Sequence, residues 1–183
     1  MSLFDAYRSD GRHAMVVGGA TGMGGAAVEV LLDAGAKVTV MDRATVERDG
    51  VTFIPVDMSS TESIDEALSK LDGNVDALFS AAGVADGTPG IERINFLGHR
   101  YMIDQLFAAD RLPPGSAIGF ISSAAGFGWE NNLERLNPYL DITDFEEAAA
   151  YARDNAMGDY LWSKMAVCAY VARSAMEFLR KGV

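Results

Sequence analysis

Tyr160 and Lys164 are four residues apart in the segment YLWSK. In a helix this spacing places both side chains on one face. A free phenol titrates near pH 10, about three units too high for proton exchange at neutral pH. A neighbouring ammonium group stabilises the phenolate and thereby favours acid–base chemistry. The pair therefore indicates a general acid/base, although ordinary amphipathic helices also carry a tyrosine and a lysine at this spacing.

Ser122 and Ser123 follow the apolar run AIGFI and offer hydroxyl groups that could hydrogen-bond a substrate oxygen as charge develops on it. Successive residues of a strand point to opposite faces, so near the end of a strand only one of the two faces a substrate. The residues alone leave the choice between them open.

Five glycines fall within the ten residues VVGGATGMGG, which begin at Val16. Gly18, Gly22 and Gly24 form the pattern G-x-x-x-G-x-G after an apolar run and before a helical segment. Here backbone N–H groups and the positive end of a helix can face a pyrophosphate, and missing side chains permit close approach. A tight turn could also require glycine without any ligand. Asp42, about 20 residues further on, favours a dinucleotide because an acid there binds the adenosine ribose hydroxyls.

Apolar runs alternate with helix-periodic segments along the chain, which predicts a parallel sheet with helices on both faces. The predicted strands are His13–Val17, Lys37–Met41, Val51–Val56, Asp76–Gly83 and Ser116–Ser123. The predicted helices are Gly24–Ala34, 59–71, Ile91–Ala109 and Gly158–Lys181. Ser59 and Glu62 have the spacing of a capping box for the second helix. Right-handed crossovers then favour a doubly wound, three-layer α/β/α sheet of the Rossmann type.

Length and composition predict one domain over residues 1–183, with an insertion at about 127–157 that holds a short helix near TDFEEAAAYARD. The net charge of −11 argues against nucleic-acid binding, which needs clustered lysine and arginine. No signal peptide or membrane-spanning run is evident. The lone Cys168 fits a reducing compartment, so we expect a cytoplasmic protein with no membrane partner. Two distant histidines, His13 and His99, give no metal signature and are interpreted as structural.

Six motifs, taken in chain order, resemble the short-chain dehydrogenase/reductase family. The glycine pattern is followed by VDMSS after the third strand, SAAG at the fourth, INFLG in the next helix, ISSAAG at the fifth strand and YLWSK. The similarity is greatest to the branch of 3α-hydroxysteroid dehydrogenases and carbonyl reductases. That branch is similar in its turn sequence, in lacking asparagines after strand four and in carrying an insertion before the tyrosine.

The resemblance implies a role for each matching residue. Tyr160 would be the general acid/base, Lys164 would support it and hold the nicotinamide ribose, and Ser123 would position the carbonyl oxygen. Asn95 would anchor a water-mediated proton path behind Lys164. The implied cofactor is NAD(H), held by Tyr160 and Lys164 together with Gly18, Thr21, Gly22, Met23, Gly24, Asp42, Arg43, Asp57, Met58, Ala82 and Gly83.

These roles predict an NAD(H)-dependent oxidoreductase that interconverts a secondary alcohol and a ketone, such as a steroid or a terpenoid. The alternative is a catalytically silent NAD(H)-binding sensor or structural protein on the same fold. An isomerase that uses bound NAD transiently fits less well, because such relatives carry a substantial second domain. Asp42 favours NAD(H) over NADP(H) by repelling a 2′-phosphate, although Arg43 could pair with that phosphate.

Three departures from the family bear on these expectations. Val17 replaces a common threonine, and SAAG lacks two asparagines, so Ala81 and Ala82 supply only backbone and packing. The chain also ends at LRKGV, where the last strand–helix–strand unit of the family would begin. We therefore expect an uncovered edge at strand five, weak NAD(H) binding and poor turnover, or none, by residues 1–183.

Two regions are expected to form contacts beyond the dinucleotide site. The long helices around Tyr101 and Tyr170 predict a homodimer or homotetramer. The insertion could wall an apolar substrate pocket or form an oligomer contact through Phe127, Trp129, Leu133, Leu136 and Tyr139.

Overall fold

Five short strands form one parallel sheet in the order β3-β2-β1-β4-β5 in the computed structural model, which describes residues 3–183. The strands are β1 (His13–Val17), β2 (Lys37–Asp42), β3 (Val51–Pro55), β4 (Ala77–Ser80) and β5 (Ala117–Phe120). The order reverses at β1, which pairs with β2 on one side and with β4 on the other. Such a reversal opens a crevice beyond the carboxyl ends of the strands, where open α/β sheets bind their ligands.

Six α-helices connect or follow these strands. They are α1 (Gly22–Asp33), α2 (Thr61–Ser69), α3 (Gly98–Ala108), α4 (Leu133–Asp141), α5 (Phe145–Asp154) and α6 (Tyr160–Lys181). A π-helical turn at Arg93–Leu97 leads into α3. Short 3-10 turns occupy Leu3–Tyr7, Ala124–Gly126 and Trp129–Asn132. No helix of the described residues is both long enough and apolar enough to cross a membrane.

Both faces of the sheet are buried at its centre, along β1 and β2, as the continuous apolar strands predict. Ala14 and Val16 of β1 pack with Val28 of α1 in the smaller core. Met15 and Val17 point to the opposite face and pack in the larger core, which contains residues of α2 to α6. Because neighbouring strand residues alternate between faces, a fully apolar strand is typical of this three-layer arrangement. The predicted α/β fold of the Rossmann type is confirmed.

The capping box predicted for α2 is wrong by one residue. Ser60 is the N-cap, and its Oγ accepts a hydrogen bond from the Ser63 N–H at 3.2 Å. Ser59 cannot take this position, because its hydroxyl donates to Asp57 Oδ1 at 2.7 Å. Helix α1 similarly begins at Gly22, two residues before the predicted start. The glycine turn is therefore shorter than the sequence pattern suggests.

Strands β4 and β5 each end three residues earlier than predicted, at Ser80 and Phe120. The residues that follow leave the sheet as turns on either side of the crevice. The hydrogen bonds between β4 and β5 stop where the two strands diverge, although the sequence there remains apolar. These turns are the segments that carry SAAG and ISSAAG.

The insertion contains two α-helices, α4 and α5, where a single short helix is predicted. Pro138 lies inside α4, and a proline at such a position argues against a helix when only the sequence is considered. Leu136 and Tyr139 are almost fully buried in the larger core, so the prediction that they wall a substrate pocket is wrong. Phe127, by contrast, is 90% exposed. Most of the insertion is therefore an integral part of the core.

Strand β5 lies at the edge of the sheet. It pairs with β4 from Ala117 to Phe120, and no other strand within residues 3–183 covers its second side. Ala117 and Gly119 are exposed there. The expected uncovered edge is therefore present among the described residues, and it leaves backbone N–H and C=O groups available for pairing.

Candidate active site

The glycine turn connects β1 to α1 at the point where the strand order reverses. Gly18 has a φ of +86°, and a Cβ on it would lie 2.3 Å from the Ala82 backbone nitrogen. A Cβ on Gly24 would lie 2.1 Å from the Gly18 carbonyl oxygen. Packing within the chain therefore requires both glycines. Gly22 differs, because its φ is +59° and the space around it is open. The turn thus leaves room for a ligand at the N-terminus of α1, where anions bind favourably.

A cavity of about 310 Å³ lies against this turn. It is lined by eleven of the residues implied as cofactor contacts: Gly18, Thr21, Gly22, Met23, Gly24, Asp42, Arg43, Asp57, Met58, Ala82 and Gly83. They come from four separate segments of the chain, at the ends of β1, β2, β3 and β4. The fold thus brings these residues together at one edge of the sheet.

Asp42 is half-buried at the end of β2, and backbone groups fix its carboxylate. Its Oδ2 accepts from the Ala20 N–H and its Oδ1 from the Ala44 N–H, both at 2.9 Å. An ionised carboxylate has about four acceptor positions, so both oxygens retain capacity for ribose hydroxyls. Arg43 is exposed beside it. Asp42 is therefore oriented for a polar ligand before that ligand arrives.

Asp57 lines the same cavity, and its carboxylate is fixed in a comparable way. Its Oδ1 accepts from the Ser59 hydroxyl at 2.7 Å and from the Ser59 N–H at 2.9 Å. These two bonds lower the pKa of Asp57. The carboxylate is consequently ionised at neutral pH, and it can accept hydrogen bonds from a base such as adenine.

A second cavity, of about 430 Å³, shares Met23, Gly83 and Val84 with the first. Its other walls include Tyr160 and Lys164. The two cavities, which also share Ala81, therefore adjoin in one cleft, lined by the glycine turn in the first cavity and by the Tyr160–Lys164 pair in the second. Such a cleft has the layout that a dinucleotide with a reacting ring at one end requires.

Tyr160 is the first residue of α6, and Lys164 lies one turn later. Lys164 Nζ lies 5.5 Å from the centre of the Tyr160 ring and donates to the Ile121 carbonyl oxygen at 2.8 Å. Burial lowers the pKa of Lys164, while the nearby Tyr160 acts to raise it. The Tyr160 N–H donates to Asp86 Oδ1 at 3.0 Å, a contact that sequence reasoning missed because it spans 74 positions.

Asn95 is buried in the π-helical turn before α3. Its Oδ1 accepts from the Val84 N–H at 2.7 Å, and its Nδ2 donates to the Val84 carbonyl oxygen at 3.1 Å. A Cβ on Gly83 would lie 3.3 Å from Asn95 Oδ1 and 3.9 Å from Lys164 Nζ. The polar groups of Asn95 and Lys164 therefore both lie close to Gly83. Single π-helical turns occur frequently at functional sites, and no sequence pattern predicts this one.

The two serines have different surroundings. Ser122 lines the second cavity, but its hydroxyl donates to the Lys164 carbonyl oxygen at 3.4 Å and lies 3.2 Å from Cys168 Sγ. Ser123 is exposed one residue further on, and its Oγ accepts from the Ala125 N–H at 3.2 Å. The Ser122 hydroxyl is therefore directed at α6, and the predicted Ser123 is not among the residues that line either cavity.

His99 supports the segment that lacks the two asparagines. Its Nε2 donates to the Ala82 carbonyl oxygen at 2.9 Å. The ring is buried, and burial lowers the pKa of His99 to about 4. The histidine is thus a neutral structural residue that contacts the wall of the cleft.

Acid should destabilise the protein through His99. In the unfolded chain the imidazole titrates near 6.5, above its folded value of about 4. The stabilisation is therefore present above pH 6.5 and is lost as the pH falls towards 4, by roughly 3 kcal/mol. Urea unfolding of the wild type and of His99→Gln across this range should show a smaller pH dependence in the variant. Equal slopes would contradict this assignment.

Comparisons with known proteins agree with this geometry. The family model described as "NAD dependent epimerase/dehydratase family" matches residues 14–180. Coniferyl-alcohol dehydrogenase of a Pseudomonas strain is 30% identical over 176 residues, which cover 92% of this chain and 68% of that protein.

Solved structures show the same fold. The 3-alpha-hydroxysteroid dehydrogenase of Pseudomonas sp. B-0831, complexed with NADH, has a TM-score of 0.74 at 24% identity, with 93% of this chain and 68% of that chain covered. The RhlG/NADP complex of Pseudomonas aeruginosa has a TM-score of 0.67 at 22% identity, with coverage of 100% and 71%. A short-chain dehydrogenase of Francisella tularensis is covered over 65% of its length. The chain belongs to the short-chain dehydrogenase/reductase family.

Proposed function

We propose that the protein is an NAD(H)-dependent oxidoreductase that interconverts a secondary alcohol and a ketone. The observation that carries the proposal is the position of Lys164 Nζ, 5.5 Å from the Tyr160 ring centre, in a cleft that continues to the glycine turn. This arrangement supports an acid–base role for the pair beside a crevice that suits a dinucleotide. A silent binding protein could also use Lys164 to hold the ribose, so turnover distinguishes the two functions.

The residues of the cleft fit a nicotinamide dinucleotide. The open space at Gly22 and the N-terminus of α1 would receive the pyrophosphate, Asp42 the adenosine ribose and Asp57 the adenine. When bound, the cofactor supplies or accepts a hydride at C4 of its nicotinamide ring. Lys164 would hold the nicotinamide ribose through its ammonium group.

Proton transfer is the task of the chain's own residues. In ketone reduction, the Tyr160 hydroxyl would give its proton to the substrate oxygen as that oxygen gains charge. Ser123 would donate a hydrogen bond to the same oxygen and so orient the carbonyl. Asn95, fixed to Val84, would hold the water path that restores the proton through Lys164.

NADH should bind more tightly than NADPH, by roughly tenfold or more, because a 2′-phosphate would approach the Asp42 carboxylate. Fluorescence titration of both cofactors tests the preference. In Asp42→Ser the preference should largely disappear, whereas Arg43→Ala should change it little. Tighter binding of NADPH by the wild type would show that Arg43, rather than Asp42, determines cofactor choice.

The proposed substrates are apolar ring compounds with a secondary alcohol or ketone, such as a steroid or a terpenoid. Two similar proteins are named for a hydroxysteroid and for coniferyl alcohol, which are both ring-bearing alcohols. A suitable ketone panel contains a ketosteroid and a cyclic terpenoid ketone, and coniferyl aldehyde is tested beside it as the contrasting aldehyde. NADH oxidation with the ketosteroid or the terpenoid would support this class, and turnover of the aldehyde alone would exclude it.

The assembly proposed for the protein is a homodimer or homotetramer formed through α3 and α6, in the cytoplasm. Val171, Met176 and Leu179 of α6 are between 45% and 64% exposed, so this helix offers an apolar surface to a second copy. Sedimentation of the purified chain measures the assembly state directly.

A further inference from the structure

Glu92 is a buried acid that the proposed chemistry does not use. Its side chain is only 4% exposed, and its Oε1 lies 3.3 Å from Arg153 Nη1 and 4.0 Å from Arg93 Nε. A buried carboxylate without a partner is strongly unfavourable, so Glu92 must retain a cation. Arg153 is half-exposed and lies at the end of α5, within the insertion. Glu92 directly precedes the π-helical turn, so the ion pair attaches the insertion to that turn.

The same carboxylate lies close to the segment that leads to Tyr160. A Cβ on Gly158 would lie 3.9 Å from Glu92 Oε2 and 3.9 Å from Arg153 Cγ. Gly158 is two residues before Tyr160, and Glu92 is three residues before Asn95. The ion pair therefore lies between the two segments that carry the acid/base and the proposed proton path.

A second contact fixes the other end of α5. Arg93 forms a two-bond ion pair with Glu146, and its guanidinium lies 5.3 Å from the centre of the Phe145 ring. Both partners are at the start of the helix, whereas Arg153 is at its end. Helix α5 is thus attached at both ends to the segment that leads into Asn95.

The turn between α5 and α6 is held in an unusual conformation. Ala156 has a φ of +52°, a region that favours glycine. The Met157 N–H donates to the Ala152 carbonyl oxygen at 2.7 Å, and Arg135 donates to the Asn155 carbonyl oxygen. Local strain of this kind persists only where the surroundings determine the backbone. The turn before Tyr160 is therefore fixed by its contacts with the insertion.

We propose that Glu92 is a positioning residue, which holds the Tyr160 segment in register with Asn95 through its ion pair with Arg153. The insertion would then hold the Tyr160 segment in place rather than line a substrate pocket. The expected effect on turnover rests on the proposed function, whereas the expected effect on the Tyr160 segment does not.

Glu92→Leu tests the proposal, because an apolar side chain can fill the buried site while removing every acceptor. Arg153 can then turn to solvent. Fluorotryptophan NMR reports on the segment, since Trp162 is one of two tryptophans and is 9% exposed two residues after Tyr160. Trp129→Phe assigns the two lines.

In folded Glu92→Leu we expect the Trp162 line to broaden or divide. We also expect kcat to fall about tenfold or more, with NADH affinity within about twofold of the wild type.

Two further variants separate positioning from stability. Glu92→Gln keeps an oxygen that can accept from Arg153, so it should restore a single Trp162 line and most of kcat. Glu66→Gln removes the exposed pair with Lys70, at 2.7 Å, and should change neither measurement. If Glu92→Leu does not fold, the double variant Glu92→Gln/Arg153→Met is assessed by the same criteria, since it removes the ion pair without leaving a buried charge.

A wild-type Trp162 line and wild-type kcat in folded Glu92→Leu would overturn the proposal, as would equal changes in Glu66→Gln. If the wild type shows no turnover with any ketone, the proposed function fails. The Trp162 line alone then decides whether Glu92 positions the segment.

Discussion

Tyr160→Phe should lower turnover about 10²–10⁴-fold and leave NADH affinity nearly unchanged. The substitution removes only the hydroxyl that exchanges a proton with the substrate. The aromatic ring remains in place beside Lys164, so the cleft keeps its shape. Steady-state ketone reduction and NADH fluorescence titration on the same preparation measure the two quantities separately.

The matched control for this substitution is Tyr101→Phe. Its hydroxyl contacts Asp65 at 3.0 Å on the surface, away from the cleft. Loss of that exposed hydrogen bond should leave turnover unchanged. Substantial activity in Tyr160→Phe would remove Tyr160 from the chemistry, even if every cofactor contact were correct.

Gly24→Ala should destabilise the protein by about 3 kcal/mol or more and abolish NADH binding. The new Cβ would lie 2.1 Å from the Gly18 carbonyl oxygen, so the backbone of the turn must move. Because this turn forms the floor of the proposed pyrophosphate site, the movement should also disrupt the cofactor cleft. Urea unfolding and NADH titration measure the two losses.

The adjacent glycine provides the control. A Cβ on Gly25 would meet the Gly19 carbonyl oxygen at an ordinary 3.6 Å. Alanine is a better helix former than glycine by about 1 kcal/mol, so Gly25→Ala should be as stable as the wild type or more stable. Wild-type stability in Gly24→Ala would show that the turn is more plastic than this packing implies.

Local patterns predict much of the fold and rather less of its detail. The bounds of β1 are predicted to the residue, because a short apolar run that ends at a glycine turn favours a buried strand over a helix. Helix α4 is missed because Pro138 interrupts its pattern, although the helix tolerates it. The cap of α2 is misplaced because Ser59 is engaged by Asp57, a competition that spacing alone does not reveal.

Some residues of the candidate site can likewise be predicted from the sequence, and others cannot. The glycines, Asp42 and Asp57 can be found from the sequence, because each lies at or just after the end of a strand that meets the same crevice. Glu92, Asp86 and His99 cannot, because their roles depend on partners between 17 and 74 positions away. Long-range contacts of this kind leave no periodic signal.

The transfer of deuterium from labelled NADH tests the central claim most directly. The chain is incubated with NADH deuterated at C4 and the ketone panel, and the alcohol products are analysed by mass spectrometry, which detects even slow turnover. We predict deuterium on the carbinol carbon with the wild type, and about 10²–10⁴-fold slower incorporation with Tyr160→Phe. Tight NADH binding without deuterium transfer to any ketone would contradict the account and identify a silent dinucleotide-binding protein.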